Sequence, residues 1–416
     1  MIKISDISNY FSYLCIFLLL SSLIYFGHAE VTGAYTTFNN PLKPSLFYLL
    51  VYCTTFIVLV FGQDLLARTR PYHAIMAALA GILLLHLWWV PFLPDDAERT
   101  RILVLRVNTC LIAMALAIVL AYADDIAGLI RSIRIVMWGT AALNVAVIIM
   151  PSLFPFKMGV YAGRAAGLYW DPNQCATFLA LSLPLACLGT RTPVRLANYL
   201  VFLVGIAFTF SREGLVLWLG AVILDYVFLA RKVTRVEGVI LRSTAIFLIL
   251  IAIGAVFAIF YYDIIYAMRP YLNADTFSRL MGADRGSAGE RLRLIVYGWE
   301  AFASSPLAGL GYGSTHLWSH GLSVHNMFLL MLAEFGLLGL VAYLGLLGAI
   351  LAQGSRLSLV LFILLTCQSM FTHSYFDLPY YLLLVLLYMR VGHAERQAET
   401  ARPAAIPSPL REAVQW

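Results

Sequence analysis

The chain has 416 residues, of which 61% are hydrophobic and only 12% are charged. A soluble globular domain carries roughly 25% charged residues, so no water-soluble fold of this length could bury so much apolar surface. The net charge of +6 does not indicate nucleic-acid binding. The basic residues fall in short clusters between apolar runs, which is the pattern of loops in a membrane protein.

Six cysteines lie in or beside apolar runs, and none belongs to a CxxC pair. A disulfide framework or a zinc ribbon is therefore not expected. The first apolar run, residues 10–26, is followed by Gly27-His28-Ala29, which imitates a signal-peptidase site. That run is long enough to span a bilayer, and its basic flank is the single Lys3. We interpret it as an uncleaved first helix.

Apolar runs recur along the chain at lengths that fit a bilayer. A hydrocarbon core needs roughly 20 apolar residues in a helix, and this requirement predicts an all-α integral membrane protein with about 12 transmembrane helices. The predicted spans are 10–27, 45–62, 73–93, 102–122, 134–152, 173–189, 195–211, 213–230, 240–262, 323–350, 356–374 and 376–392. They form one polytopic membrane domain, residues 1–394, with a long loop at about 263–322 that contains short helices. Residues 395–416 are predicted to be a disordered tail.

The distribution of Lys and Arg predicts the orientation of these spans. Basic residues concentrate in alternate connections and near both ends of the chain: Lys3, Arg68, Arg70, Arg131, Arg134, Arg191, Arg195, Arg231, Lys232, Arg235, Arg242, Arg356, Arg390, Arg396, Arg402 and Arg411. Connections rich in Lys and Arg face the cytoplasm. Both termini are therefore predicted to be cytoplasmic, and the long loop at 263–322 is predicted to face outward, which in a Gram-negative cell is the periplasm.

Two arginines occur where a short outer loop does not need them. The connection between the seventh and eighth predicted spans is Ser211-Arg212-Glu213. An interfacial arginine can pair with a neighbouring carboxylate or extend to lipid headgroups, or it can bind an anion in a cavity. Arg164 lies in another outer loop between two glycines, which let a backbone approach a ligand closely. Both arginines are candidates for anion binding.

The long outer loop contains a predicted helix. Ser287 and Glu290 have capping-box spacing, and Ser304-Ser305-Pro306 ends the helical run. One face of this helix is apolar and is expected to lie on the membrane surface. That face is formed by Leu292, Ile295, Trp299 and Phe302. Arg291 is in the first turn, where a positive charge opposes the helix dipole, and this position indicates a functional role.

A glycine-rich segment, residues 309–313, is followed by His316, His320 and His325. The glycines alone are a weak signal for a phosphate-binding loop. The histidines are irregularly spaced with no Asp, Glu or Cys among them, so a metal site is not expected. His325 differs from the two loop histidines because it opens the tenth predicted span. A titratable imidazole at that position is held at a fixed height above the cavity. An interfacial histidine can also be only a capping residue.

From His325 the chain reads HNMFLLMLAEFGLLG: His-Asn, nine residues, Gly336, two residues and Gly339. This resembles the signature of bacterial O-antigen ligases, within the superfamily that also contains O-antigen polymerases and protein O-oligosaccharyltransferases. Three further segments resemble the superfamily pattern: Arg164-x-x-Gly167 ahead of Pro172-Asn173, the Ser211-Arg212 turn, and Arg291 ahead of Pro306-x-x-Gly309-x-Gly311. The resemblance covers residues 160–350.

The resemblance implies an enzyme of lipopolysaccharide biosynthesis in the bacterial inner membrane, with its active site facing the periplasm. It implies inverting glycosyl transfer of O-antigen polysaccharide from undecaprenyl-diphosphate to lipid A–core, with no metal, nucleotide or other cofactor. Membrane lipids are partners and nucleic acid is not. An O-antigen polymerase, joining carrier-linked repeat units, is the main alternative. A protein O-oligosaccharyltransferase is the third reading, for which this chain is short. Outside enzymes, a polysaccharide transporter is favoured less, because the charged candidates lie at one mouth and no half-to-half repeat is visible.

Residue chemistry permits this transfer and predicts the roles. The diphosphate leaving group develops negative charge, which Arg164, Arg212 and Arg291 could compensate. The acceptor hydroxyl must lose a proton, and His325 is the predicted general base, or it only positions the hydroxyl. Asn326, Gly311 and Tyr312 are predicted supporting residues, with Asn326 interpreted either as a residue that supports the catalytic groups from behind or as a helix-start residue.

Overall fold

A computed structural model of the chain describes residues 3–23, 44–94, 96–150, 164–169, 171–229, 285–318, 323–373, 375–377 and 379–400. Within these ranges the regular structure is helical, without strands. The helices are α1 (Ile4–Leu20), α2 (Pro44–Phe61), α3 (Leu65–Phe92), α4 (Ala97–Ala121), α5 (Ile126–Ile149), α6 (Pro172–Cys187), α7 (Thr192–Ala207), α8 (Arg212–Leu224), α9 (Arg285–Ser304), α10 (Ser314–Leu317), α11 (Met327–Leu351), α12 (Arg356–Ser369) and α13 (Pro379–Thr400). The predicted all-α class is confirmed for this part of the chain.

Five of the described helices are long and apolar enough to cross a membrane: α2, α3, α4, α5 and α11. Three more, α1, α7 and α12, are apolar but shorter. A helix lies at the position of every predicted span except the ninth, at 240–262, which is outside the described residues together with most of the predicted loop. The number of twelve spans and the periplasmic loop therefore stay predictions.

Several helices begin earlier than their apolar runs predict. Helix α5 begins at Ile126 because Asp125 caps it, its side chain accepting a hydrogen bond from the Gly128 amide. Helix α4 begins at Ala97 because Asp96 accepts from the amides of Glu98 and Arg99. Capping carboxylates stabilise a polar first turn that a count of apolar residues does not include.

Two helices form the centre of the bundle. Helix α6 is buried on all sides from Cys175 to Cys187, and α13 is buried from Tyr380 to Met389. Tyr380 donates its hydroxyl to Gln174 Oε1 (2.7 Å), and Tyr388 donates to the Leu181 carbonyl (2.6 Å). The residue numbers rise together, so the two helices run parallel and begin at the same end of the bundle. Helix α13 continues to Thr400, within the segment predicted as a tail; residues after it lie outside the described residues.

Helix α11 is broken at Gly336, whose φ of 64° and ψ of −152° are not helical. The segment 306–311 packs into this break. The Leu310 amide donates to the Ala333 carbonyl (3.0 Å), and the Leu337 amide donates to the Pro306 carbonyl (2.8 Å). Non-helical backbone is tolerated at membrane depth only where protein satisfies its polar groups. The two glycine motifs of the sequence, 306–311 and 336–339, thus form one backbone contact.

The predicted helix of the long loop is present as α9. It begins at Arg285, ahead of the predicted capping box, and ends at Ser304 as predicted. Leu294 and Gly298 are buried, and Gly298 lies against Leu329 of α11. Trp299 is exposed on another face, as a membrane-facing residue would be. The side chains of residues 285–292 are outside the described part, so the membrane-surface position stays a prediction.

Candidate active site

Arg164 and Arg212 lie on either side of one buried turn. Arg164 donates from Nε to the Thr209 carbonyl (2.8 Å) and from Nη2 to Asn173 Oδ1 (2.7 Å). The turn continues to Ser211, which caps α8 by accepting a hydrogen bond from the Gly214 amide (3.1 Å). Arg212 is the first residue of α8 and is exposed. The structure therefore places both arginines at the end of the bundle where α6 and α8 begin.

Arg291 belongs to the described backbone of α9, but its side chain does not belong to the described part of the chain. The convergence of three arginines therefore stays a prediction. Glu213, beside Arg212, accepts a hydrogen bond from Gln368 Nε2 (2.8 Å) near the end of α12. This contact joins the start of α8 to the turn between α12 and α13.

His325 immediately precedes Asn326, the N-cap of α11. The Asn326 side chain accepts a hydrogen bond from the Leu329 amide (3.0 Å), so the prediction that Asn326 starts the helix is confirmed. His325 lies outside the helix, and the expectation that it belongs to the first turn is wrong, because the cap takes the last non-helical position. The half-buried ring of His325 lies 4.7 Å, centroid to centroid, from the ring of His373.

His373 and Asp377 lie in the turn between α12 and α13. The ring of His316, in α10, lies 5.7 Å from that of His373. His316, His325 and His373, called here the histidine group, thus come from three separate segments. Removal from water lowers the pKa of His373 to about 3, and the nearby His325 adds to the effect. His373 is therefore neutral at physiological pH, and its buried Nδ1 has no hydrogen-bond partner among the described residues.

A buried ion-pair network lies next to the histidine group. Arg106 of α4 donates from Nη1 to Glu334 Oε2 (2.5 Å) and from Nε to Asp377 Oδ1 (3.2 Å). Arg106 is 2% exposed and Glu334 is fully buried. Glu334 Oε1 accepts from the Thr315 hydroxyl (2.9 Å) and lies 3.7 Å from His316 Nδ1. The network consequently fixes the position of α10, including His316.

Gly311 and Tyr312 hold the segment that carries this network. The Gly311 amide donates to the Glu334 carbonyl (2.8 Å), and its φ of 89° suits glycine. The ring of buried Tyr312 stacks on His86 at 6.1 Å. Both contacts are made to protein atoms, so a packing role explains these two residues and a phosphate-binding loop is not required.

Comparison with known families adds the decisive observation. Residues 197–344 match the family model described as O-antigen ligase. This segment, which is less than half of the chain, is similar to the O-antigen ligase family. The match extends from α7 into α11 and contains Arg212, Arg291 and His325. No curated protein matches the chain.

The O-antigen ligase match and the apolar helices together indicate a multi-pass membrane protein with glycosyltransferase-like activity. The resemblance stated from the sequence is thereby confirmed at the level of the superfamily. Arg106, Arg164, His373 and Asp377 lie outside the matched residues.

Sequence reasoning did not find the buried ion-pair network. Arg106 and Glu334 lie inside the predicted spans 102–122 and 323–350 and were not among the charged candidates, although the network lies beside the histidine group. The residue types alone could have identified them, because an ionisable residue within a membrane span is a functional candidate by default. His373 and Asp377 lie close together in one short turn, where no pattern marked them.

Three of these groups could also hold a cation. Donor atoms of His316, His373 and Asp377 lie within 4.8 Å of one another. The fold thus brings the Asp377 carboxylate close to two histidines, a proximity that the spacing of these residues in the sequence did not show. Asp377 already accepts a hydrogen bond from Arg106, however, and a cation bound there would face that guanidinium. Like charges at short range repel, so the Arg106 guanidinium disfavours a metal ion bound at Asp377.

Proposed function

We propose that the protein is an O-antigen ligase, which transfers O-antigen polysaccharide from undecaprenyl-diphosphate to lipid A–core on the periplasmic side of the bacterial inner membrane. The observation that carries this proposal is the family match at residues 197–344. It contains the His325-Asn326 pair and the broken helix after it. Both substrates are amphipathic, so their reacting ends can meet at an interface while their lipids stay in the bilayer.

The donor diphosphate would bind to arginine. Arg164 and Arg212 are placed at the same turn, and Arg291 is the third proposed partner. Guanidinium groups form paired hydrogen bonds with phosphate oxygens and keep their charge at any physiological pH. As the bond from the anomeric carbon to the diphosphate breaks, its electron pair passes to the phosphate oxygen. Fixed positive charge at that position stabilises the transition state.

The acceptor would be activated by the histidine group. The hydroxyl oxygen of lipid A–core attacks the anomeric carbon from the face opposite the diphosphate, and its proton passes to His325. His373 supports this role because its ring lies 4.7 Å from that of His325 and stays neutral, so it adds no positive charge that would oppose protonation of His325. The same geometry is compatible with a His325 that only positions the hydroxyl.

The transfer would be independent of metal. The bond made by Arg106 to Asp377 supports this proposal, because a divalent ion at Asp377 would lie close to the Arg106 guanidinium, whose charge has the same sign. The protein would have no cofactor, its active site would face the periplasm, and both termini would lie in the cytoplasm. Arg68 and Arg390 both form ion pairs with Asp124 at one end of the bundle. This concentration of arginine supports a cytoplasmic position for that end.

An O-antigen polymerase is the second candidate, because the matched superfamily also covers enzymes that join two undecaprenyl-diphosphate-linked repeat units. Lipopolysaccharide from cells lacking this protein separates the two on a gel. A ligase predicts a core without any O-antigen, with carrier-linked polymer accumulating. A core that carries a single repeat unit would contradict the ligase and support the polymerase. Normal export of the polymer in these cells would exclude the transporter.

A further inference from the structure

At the opposite end of the bundle from the histidine group, three helices line an open cavity of about 500 Å³. It is lined by Arg70, Pro71, Ala74, Ala349, Ala352, Gln353, His393, Arg396, Gln397 and Thr400. Each of these helices has its other end at the candidate active site. Helix α3 reaches Ala308 through Trp89, α11 begins beside His325, and α13 begins beside Asp377.

The separation of the two ends is close to the thickness of a bilayer. From Pro379, beside Asp377, to Arg396 at the cavity, the unbroken helix α13 rises 1.5 Å per residue, which gives roughly 26 Å. The hydrocarbon core of a bilayer is about 30 Å thick. If the histidine group lies at one membrane surface, the cavity therefore lies at the headgroup level of the other leaflet.

The lining is basic and contains no carboxylate among the described residues. Arg70 and Arg396 face the cavity together with His393, and no described carboxylate is within ion-pair distance of either guanidinium. Gln397 Nε2 lies 2.9 Å from His393 Nε2, and the Thr400 hydroxyl donates to the carbonyls of Arg396 and Gln397, so the two guanidinium groups are the charged donors of the lining. A group with phosphate oxygens would satisfy these donors.

The rest of the wall is apolar and small. Pro71, Ala74, Ala349 and Ala352 leave the space that larger side chains would fill. A soluble phosphate ion needs no such wall, whereas a glycerophospholipid has an apolar part directly below its phosphate. The lining also discriminates among headgroups. A headgroup with an amine would bring a positive charge towards two arginines, with no lining carboxylate to receive it.

We propose that this cavity binds the phosphate of an anionic phospholipid, such as phosphatidylglycerol, in the leaflet opposite the active site. Basic pockets between membrane helices commonly bind anionic headgroups in this way. Binding would hold the ends of α3, α11 and α13 together. It would add to the existing contacts there, in which Gln353 donates to the Pro71 carbonyl (2.9 Å) and Arg396 donates to the Gln353 carbonyl. This proposal does not depend on which glycan the active site transfers.

Native mass spectrometry of the purified full chain can test the site with phosphatidylglycerol, phosphatidylcholine and inorganic phosphate as separate probes. Arg70→Ala is the main test variant. Arg70 makes no side-chain hydrogen bond to the described residues, so its removal breaks none of these contacts. Arg396→Ala is the second variant, and its retained fold is checked by gel filtration. Arg191→Ala is the matched control: Arg191 is exposed, lies in the connection after α6 and does not line the cavity.

The expected result is phosphatidylglycerol bound to the wild type and to Arg191→Ala, with about fivefold weaker binding in Arg70→Ala. Phosphatidylcholine should bind more weakly than phosphatidylglycerol to the wild type. Equal binding of phosphatidylglycerol by Arg70→Ala, Arg396→Ala and the wild type would overturn the site. Inorganic phosphate that displaces the lipid, with the same dependence on Arg70, would show a site for soluble phosphates and overturn the lipid assignment.

Discussion

The ion pair between Arg106 and Glu334 is the most buried among the described residues, and it is expected to be essential for a stable fold. Glu334→Gln leaves the Arg106 charge with only its contact to Asp377. Breaking a buried pair by removing one partner costs about 3–5 kcal/mol. We therefore expect a clear loss of thermal stability in detergent and of inserted protein in membranes.

The chain offers a matched control for this prediction. Arg101 and Glu98 form an exposed ion pair one turn earlier in the same helix as Arg106. Exposed pairs contribute about 0–1 kcal/mol, so Arg101→Ala should be nearly neutral. A Glu334→Gln protein as stable as Arg101→Ala would show that the buried network does not stabilise the fold.

His325 is expected to be required for turnover and not for folding, because it lies outside α11, ahead of the Asn326 cap. A general base contributes typically 10²–10⁴-fold, so His325→Ala should lower turnover by that order, measured per inserted molecule. A requirement for a neutral imidazole makes activity rise with pH until His325 is deprotonated. His373 does not contribute to this rise, because its pKa is about 3. Near-wild-type normalised activity in His325→Ala would exclude a catalytic role.

The structure changes one expectation about the other histidines. From the sequence, His316→Ala and His320→Ala should have mild effects, since loop histidines have no fixed height. His316 is instead held in α10 within 3.7 Å of Glu334, so its substitution should impair activity. His320 is outside the described residues, and the prediction of a mild effect stands for it.

Arg212 is expected to carry donor binding, since it is exposed at the turn that Arg164 holds in place. Arg212→Ala should nearly abolish transfer, and Arg212→Lys should restore little of it, because an ammonium cannot form paired bonds to phosphate. Arg191→Ala, which removes an exposed arginine at the other end of the bundle, should keep full activity.

A strong chelator should not reduce activity in purified membranes. Chelator-sensitive activity restored by a divalent ion would indicate a metal at His316, His373 and Asp377.

Among the elements, the break in α11 depends on Gly336. Its φ and ψ lie in a region that is essentially restricted to glycine, and a Cβ there would lie 2.4 Å from the Leu307 carbonyl carbon. Gly336→Ala should therefore displace segment 306–311 and reduce both stability and activity. Gly345 lies in the same helix with no atom within 4 Å of an added Cβ.

Gly345→Ala is accordingly the control, expected to be neutral or to stabilise by about 0.5–1 kcal/mol because alanine favours helix. Thermal unfolding of the two variants in the same detergent compares them directly. Equal stability of Gly336→Ala and Gly345→Ala would mean that the break is not held by the glycine.

The helices could be predicted from the sequence because their apolar residues extend over bilayer-length runs. The break in α11 could not be predicted, because residues 327–351 form one continuous apolar run in the sequence. The break exists because the distant segment 306–311 packs into the helix at Gly336. The arginines and His325 were found by their positions in outer loops. Arg106 and Glu334 were missed because each is isolated in its own run, and their pairing exists only after α4 and α11 pack together.

At the scale of the whole molecule, the two ends of the bundle differ in chemistry, and this difference predicts how the protein lies in the membrane. The histidine group, Arg164 and Arg212 are at one end, whereas the cavity with Arg70 and Arg396 is at the other. Basic clusters mark the cytoplasmic side. The first end should therefore face the periplasm, where the proposed ligase would attach the glycan to its acceptor.

Single cysteines at exposed positions near the two ends can test this orientation, after the exposed native Cys53 and Cys367 are replaced by serine. Ser304→Cys, at the end of α9, should react with a membrane-impermeant thiol reagent added from the periplasmic side. Arg191→Cys, in the connection after α6, should react only after the membrane is permeabilised. The reverse pattern would place the histidine group in the cytoplasm. A periplasmic acceptor could then not reach it, and the proposed ligase reaction would lose its site even though the fold would be unchanged.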